Sequence, residues 1–220
     1  MTNRIINRDG LSLSRRGFTR GALASVGLVL GGDALAQSAL VPTPESPMGP
    51  FYPVNRLADH DADLTRIMGR DGRALGTVIE LTGRVLDTRG HPVAGAQIEM
   101  WQCNAAGRYA HENDISTAPL DPNFQGFALL RADASGAWRI TTVKPSGYDS
   151  PIGHRPPHLH FDIQGRRDRR VAQMYFPEDE AANAVDQLYR ALGEQGPGSV
   201  AARDAGDATR YSWDIILADA

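Results

Sequence analysis

The sequence predicts a mainly β protein, an antiparallel β-sandwich with one short C-terminal helix and long loops. Three observations lead there. From residue 77 onward, short stretches rich in β-branched and apolar side chains alternate with clusters of Gly, Pro, Asn and Asp. One stretch alone keeps a helical period of apolar residues. The composition of the 220-residue chain, 41% hydrophobic and 22% charged, is that of a domain able to bury a core, and it excludes a disordered, collagen-like or polytopic membrane chain.

The first 36 residues are expected to stand apart from that domain. Ser14, Arg15, Arg16, Gly17 and Phe18 lead into the apolar run from Gly21 to Gly32, and Ala34, Leu35 and Ala36 supply an A-x-A cleavage signal. A run of about a dozen residues falls short of the roughly 20 that cross a bilayer as a helix. The order of these features resembles a leader of the twin-arginine pathway, which exports folded proteins. It predicts a signal peptide over 1–36, a single domain over 37–220, and a periplasmic or secreted mature form without a membrane span.

Within the domain, the Pro-rich lead from Val41 to Pro53 reads as extended chain. Asp59, Asp61 and Asp63 have the spacing that opens a calcium loop, but Leu64 stands where its glycine belongs and Arg70 where its final glutamate belongs, so this is solvated loop. Strands are predicted over Thr77–Leu86 and Val93–Trp101, joined as a hairpin-like unit by the turn Asp87–Gly90. Further strands, Ala128–Ala132 and Ala137–Val143, flank the turn Asp133–Gly136. Leu159–Gln164 and Val171–Phe176 flank an Arg-rich loop. Ala181, Val185, Leu188 and Leu192 place the one helix between Glu178 and Leu192. After a Gly-rich stretch, Tyr211–Leu217 is the last strand.

Charge gives no nucleic-acid footprint. The net charge is −3, and the basic residues are scattered except for Arg166, Arg167, Arg169 and Arg170, read as a solvated loop. A single cysteine, Cys103, permits neither an intrachain disulfide nor a cysteine metal cluster and reads as a buried inert thiol.

The chemistry concentrates in Arg155, Pro156, Pro157, His158, Leu159, His160 and Phe161. The prolines disfavour helix, His158 can open a strand, and period-two alternation then puts both imidazoles on one face. Such a pair can share a metal, although an isolated H-x-H is more often structural. His60, His91, His111 and His154 read as surface or loop residues. Tyr109 and Tyr148 each follow a turn, Asn104–Gly107 and Pro145–Gly147, and each taken singly reads as an ordinary half-buried tyrosine. With a reference pKa near 10, a phenol binds as phenolate at neutral pH only to a strongly Lewis-acidic ion, which ferric iron suits better than zinc.

An ordered set of residues then resembles the intradiol ring-cleavage dioxygenases. It runs through Leu81, Gly83, Val85, Gly90, Val93, Ile98, Glu99, Met100, Gly107 and Tyr109, then the segment Pro119–Phe124, Lys144, Pro145, Tyr148, Arg155–Phe161, Gln173, Tyr175 and Phe176. The resemblance covers nearly all of Gly49–Leu217. It implies a mononuclear non-haem Fe(III) held by Tyr109, Tyr148, His158 and His160 with a hydroxide, Tyr148 and His160 being axial. It further implies cleavage of a catechol-type aromatic, of the catechol or protocatechuate class, by dioxygen to a cis,cis-muconate-type diacid. Tyr148 would then leave the metal and take a substrate proton, while Arg155 and Gln173 stabilise charge on the substrate. Tyr52, in the run Gly49–Tyr52, and Ser150 are candidate pocket residues. Only Asp149–His154 separate Tyr148 from Arg155, and Ser150 stands where protocatechuate-cleaving relatives have a tryptophan, which implies a smaller wall and a more open pocket.

Two other classes fit parts of the sequence: a transthyretin-like β-sandwich that merely binds a partner, needing neither iron nor Arg155, and a periplasmic protein holding copper or zinc through the histidine pair without tyrosinate. The number of subunits is left open, a homo-oligomer included.

Overall fold

A computed structural model describes residues 39–54 and 59–218. The expected leader over 1–36 lies outside the described residues. Eleven strands are seen among them: β1 (Val78–Asp87), β2 (Gln97–Trp101), β3 (Phe127–Arg131), β4 (Ala137–Val143), β5 (Tyr148–Ser150), β6 (Gly153–Arg155), β7 (His158–Gln164), β8 (Arg169–Tyr175), β9 (Ala202–Arg203), β10 (Arg210–Ser212) and β11 (Ile215–Leu217). One sheet has the order β11-β1-β10-β9 with β4 also on β1, the other has the order β3-β2-β7-β8, and β5 and β6 form a separate ribbon.

The alternation that marks each strand builds the sandwich core. Ile79, Leu81 and Val85 of β1, with Trp138 and Ile140 of β4, point to one side and are buried. Facing them from the second sheet are Ile98, Met100, Phe161, Ile163 and Ala172. The Phe161 ring lies 5.7 Å from that of Trp138 and 5.1 Å from that of Trp213, centroid to centroid, which links the sheets directly. Each such large apolar side chain contributes on the order of 1.5–3 kcal/mol by leaving water.

Several expectations are met and some are revised. β4 has the predicted bounds, and β7 and β8 pair antiparallel around the Arg-rich turn. The expected hairpin of the first two strands is only begun: Asp87 N–H donates to the His91 carbonyl at 2.8 Å and Val93 N–H to that of Val85 at 2.9 Å, but β2 itself does not pair with β1. The turn closes, with Gly90 N–H donating to the Asp87 carbonyl at 2.9 Å, but β1 is paired along one edge by β4 and along the other by β10 and β11. The chain therefore crosses to the second sheet and β2 pairs with β3 and β7.

The last strand divides into β10 and β11, which add to the antiparallel sandwich by running parallel to β1. They separate where the Asp214 side chain, in place of a backbone carbonyl, accepts the Arg84 N–H at 2.8 Å. Helix at 178–192 is present as two short pieces, α1 (Glu180–Asn183) and α2 (Gln187–Ala191). Val185, expected to face the core, is 75% exposed, and Asp186 turns inward instead. The arginine cluster is only partly a solvated loop. Arg169 donates twice to Asp162, at 2.9 and 2.7 Å, and Arg170 pairs with Asp168 and Glu45. The Pro-rich lead is extended, as expected, with Thr43 N–H donating to the Ile216 carbonyl and Ser46 N–H to that of Val171. Among the described residues no helix is long and apolar enough to cross a membrane.

Candidate active site

Six consecutive residues of β7 are buried, so both faces of the strand are covered. Leu159, Phe161 and Ile163 point into the core, which leaves His158, His160 and Asp162 on the outer face, as the alternation requires. Strand register adds their neighbours. Trp101, His160 and Gln173 form one row across the sheet, and Tyr175 stands beside His158 in the next.

Two loops bring the tyrosines over this face. After β2, Asn104 closes a turn by accepting the Ala106 and Arg108 N–H groups at 2.9 and 3.0 Å. The turn ends at Gly107 with φ +77°, a conformation that favours glycine. A Cβ there would also lie 2.6 Å from the Gly147 carbonyl oxygen. The bare glycine thus lets the turn before Tyr109 rest on the turn before Tyr148, and Ser146 Oγ–H donates to the Ala105 carbonyl at 2.7 Å across the junction. The two phenol rings meet edge-on with centroids 5.4 Å apart.

At the centre, the prolines set one imidazole. His158 Nδ1–H donates to the Pro156 carbonyl at 2.7 Å, so its bare Nε2 faces His160 Nε2 at 3.2 Å and the Tyr148 hydroxyl at 3.4 Å. His160 lies flat on Trp101 (4.9 Å between centroids, 13° between planes), and Tyr109 on Phe51 (4.4 Å, 21°). His158, His160 and Tyr109 are buried and Tyr148 is half-buried. Burial, with a lesser push from Arg155, lowers the His158 pKa to about 3. Burial, then His158 and Arg155, holds His160 well below the ordinary imidazole value. Burial thus favours the neutral form of both imidazoles. Burial, with smaller contributions from Cys103 and Tyr148, pushes the Tyr109 phenol well above its usual 10. Tyr148 is raised by burial to about 12 even though Arg155 pulls it down. Two atoms of the cluster have no hydrogen-bond partner among the described residues, the Tyr109 hydroxyl and His160 Nδ1.

Arg155, at the end of β6, is buried beside this cluster. Its Nη2 donates to Gln173 Oε1 at 2.6 Å and to the Tyr175 hydroxyl at 3.2 Å, and its Nε to Asp186 Oδ1 at 2.6 Å. Tyr52 packs edge-on against Trp101 and donates to Glu99 at 2.6 Å, which places it on the wall. Ser150 sits at the tip of the β5–β6 ribbon, where its hydroxyl donates to the Gly153 carbonyl at 2.8 Å. The structure thus gathers Tyr109, Tyr148, His158, His160, Arg155 and Gln173, with Tyr52 one ring away and Ser150 at the rim. Cys103 is buried and unpaired by disulfide, as expected.

Asp186 and the stacking rings Phe51 and Trp101 escaped the sequence reading. Asp186 follows an exposed valine inside a helical period, and stacking partners carry no local signal. Among the described residues no three His, Cys, Asp or Glu side chains gather as a metal site, so a metal here depends on the phenols. A cavity of about 630 Å³ is bordered by Phe51, Trp101, Tyr109, Arg70 and Phe124 but not by the imidazoles, Tyr148 or Arg155, so it adjoins the cluster without containing it.

The dioxygenase family profile matches residues 48–219. A β-sandwich with this match belongs to the intradiol ring-cleavage dioxygenase family, and the chain is an enzyme of that class. Among its relatives is the protocatechuate 3,4-dioxygenase β chain of Burkholderia cepacia, 40% identical over 179 residues that cover 76% of each chain. The hydroxyquinol 1,2-dioxygenase of Corynebacterium glutamicum is 32% identical over 67% of this chain but only 56% of its own length. The fold is shared with the 3-chlorocatechol 1,2-dioxygenase of Rhodococcus opacus 1CP, at a TM-score of 0.59 and 21% identity, covering 81% of this chain and 74% of that one. It is shared too with a Streptomyces dioxygenase domain, at a TM-score of 0.62 and 22% identity over 82% and 100% of the two chains.

Proposed function

We propose that the chain is an Fe(III)-dependent enzyme that cleaves a catechol-type aromatic between its two hydroxyl-bearing carbons, both atoms of dioxygen entering a cis,cis-muconate-type diacid. The observation that carries this reading is the convergence of a buried and a half-buried phenol with two buried imidazoles beside a fixed guanidinium. The donor set fits ferric iron. His158 Nε2, His160 Nε2 and the Tyr148 hydroxyl come within 3.2 and 3.4 Å of one another beside the Tyr109 hydroxyl, which is buried without a partner, and a cation among them would take up these lone pairs. Phenols raised as far as Tyr109 and Tyr148 ionise only against a strong Lewis acid. Tyr109, Tyr148, His158 and His160 would hold the ion.

Bound there, ferric iron supplies the Lewis acidity that ionises a catechol and makes its ring reactive toward dioxygen. The remaining work falls to the chain's own residues. Tyr148, the less enclosed phenol, would be ionised only against the ion, and as that phenolate its Oη could accept a proton from an incoming catechol hydroxyl. Arg155 places a positive charge beside the resulting anion, and Gln173 Oε1 holds the guanidinium at 2.6 Å. Trp101 and Phe51 cover the back of His160 and Tyr109 and keep water from those faces.

The names of the relatives, protocatechuate, catechol and hydroxyquinol enzymes, support a catechol-type substrate. The short ribbon tip with Ser150 supports an open pocket, in which one small apolar contact discriminates by only about 1–3 kcal/mol. Oxygen uptake by the iron-loaded protein across a panel of substituted catechols tests the reading. Catechol and protocatechuate should both be cleaved, with specificity constants close together. No uptake would overturn the function, and a strong preference for protocatechuate, lost when a single pocket arginine is neutralised, would overturn the open pocket. We read residues 1–36 as the leader that delivers this enzyme, already folded, to the periplasm or beyond.

A further inference from the structure

We propose that Asp186 is a positioning residue for the reaction, acting through Arg155. The proposal rests on the reading of this site as an intradiol centre. Asp186 and Arg155 are both sealed from solvent, with side chains 1% and 5% exposed. A guanidinium so buried must be paired, and a carboxylate is the partner that matches its planar fork. Asp186 meets it side-on, Nε–H donating to Oδ1 at 2.6 Å and Nη2 lying 3.4 Å from Oδ2. Nη2 also reaches Gln173 Oε1 and the Tyr175 hydroxyl. Among the described residues Nη1 is the one guanidinium nitrogen left without a partner, and so is the donor available to a substrate anion.

The carboxylate is itself fixed from two directions. Its Oδ2 accepts the Tyr175 hydroxyl at 3.0 Å and the Tyr189 N–H at 2.9 Å, the latter as the N-cap of α2. Capping alone asks only for an oxygen, which Ser or Asn provides as well. It does not ask for a buried charge, and here the charge faces the guanidinium. β6 delivers Arg155, β8 delivers Gln173 and Tyr175, and the N-cap of α2 delivers the anion that binds both Arg155 and Tyr175. This also explains why the helical period breaks at Asp186: a residue turned inward to hold Arg155 cannot lie on the exposed face.

The test is a double-mutant cycle on the iron-loaded protein with catechol. Asp186→Asn keeps the shape and a capping oxygen, but turning that oxygen to Tyr189 leaves an N–H₂ against Arg155 Nε–H. It should retain iron and KM while kcat falls about tenfold. Arg155→Ala should fall about a hundredfold, and the double variant should be no slower than Arg155→Ala, because Asp186 then has nothing left to position. Wild-type kcat in Asp186→Asn, or the same tenfold loss on the Arg155→Ala background, would overturn the proposal. If Asp186→Asn does not fold, Asp186→Ser keeps an oxygen for the cap of α2 and removes the carboxylate. Its kcat should likewise fall about tenfold with KM unchanged, and a wild-type value would again overturn the proposal. Should the wild-type protein itself show no turnover, the functional reading fails by itself. A crystal structure of Asp186→Asn then decides the positioning role: Arg155 displaced from Gln173 supports it, and Arg155 unmoved contradicts it.

Discussion

His158 shows how little sequence is needed to aim a side chain. Two prolines favour extended chain, and the Pro156 carbonyl takes the imidazole Nδ1–H at 2.7 Å, which turns Nε2 inward. Arg155, three residues earlier, is where binding and chemistry separate. It touches none of the four proposed metal-holding side chains by hydrogen bond, yet its charge lies close enough to lower the Tyr148 pKa. Losing one preorganised charge-stabilising group costs on the order of 3 kcal/mol in the transition state. Arg155→Ala should therefore keep its iron and colour while turnover falls roughly a hundredfold, read by parallel iron analysis and oxygen uptake. Wild-type turnover in that variant would remove Arg155 from the mechanism. The histidine pair was legible in the sequence because alternation along one strand is a local rule. Asp186 was not, because its bond to Arg155 spans 31 positions and depends on where a helix breaks.

Among the elements, the two turns that carry the tyrosines matter most. Each looked in sequence like an ordinary turn before an ordinary tyrosine. Their contact, Gly107 against the Gly147 carbonyl, is a tertiary fact that no pattern along the chain encodes. Gly107→Ala introduces a side chain at φ +77° and 2.6 Å from that oxygen, so the turns must part. The variant should lose about 1–3 kcal/mol of stability. It should also bind iron less tightly than the wild type, because Tyr109 and Tyr148 separate. Thermal unfolding of the metal-free protein and iron analysis after dialysis measure the two effects, and unchanged iron affinity would show that the glycine contact does not set the site. Strand positions were readable wherever turn residues bracketed an apolar stretch, as at Ala137–Val143. Which strands pair was not: the hairpin expected after β1 stops short because both edges of β1 are taken by strands from far along the chain.

For the whole molecule, the sandwich supplies rigidity and the outer face of one sheet supplies the chemistry. The core seen in Ile79, Leu81, Ile140, Phe161 and Ile163 fixes β7, and β7 fixes the imidazoles. The leader proposed over residues 1–36 belongs to this scale as well, since a metal centre drawn from β5, β7 and the loop after β2 is complete only in the folded chain, which such a leader would export. Replacing Arg15 and Arg16 with Lys should trap an uncleaved precursor in the cytoplasm, visible as the larger band in cell fractionation. Normal delivery of the mature form would contradict the twin-arginine reading. The central claim is that two tyrosinates and two imidazoles on this face hold ferric iron. The visible absorption spectrum of the iron-loaded protein tests it most directly. A wine-red tyrosinate-to-iron charge-transfer band that shifts in both Tyr109→Phe and Tyr148→Phe is the predicted result. A colourless iron-bound protein, or a band untouched by either substitution, would contradict it.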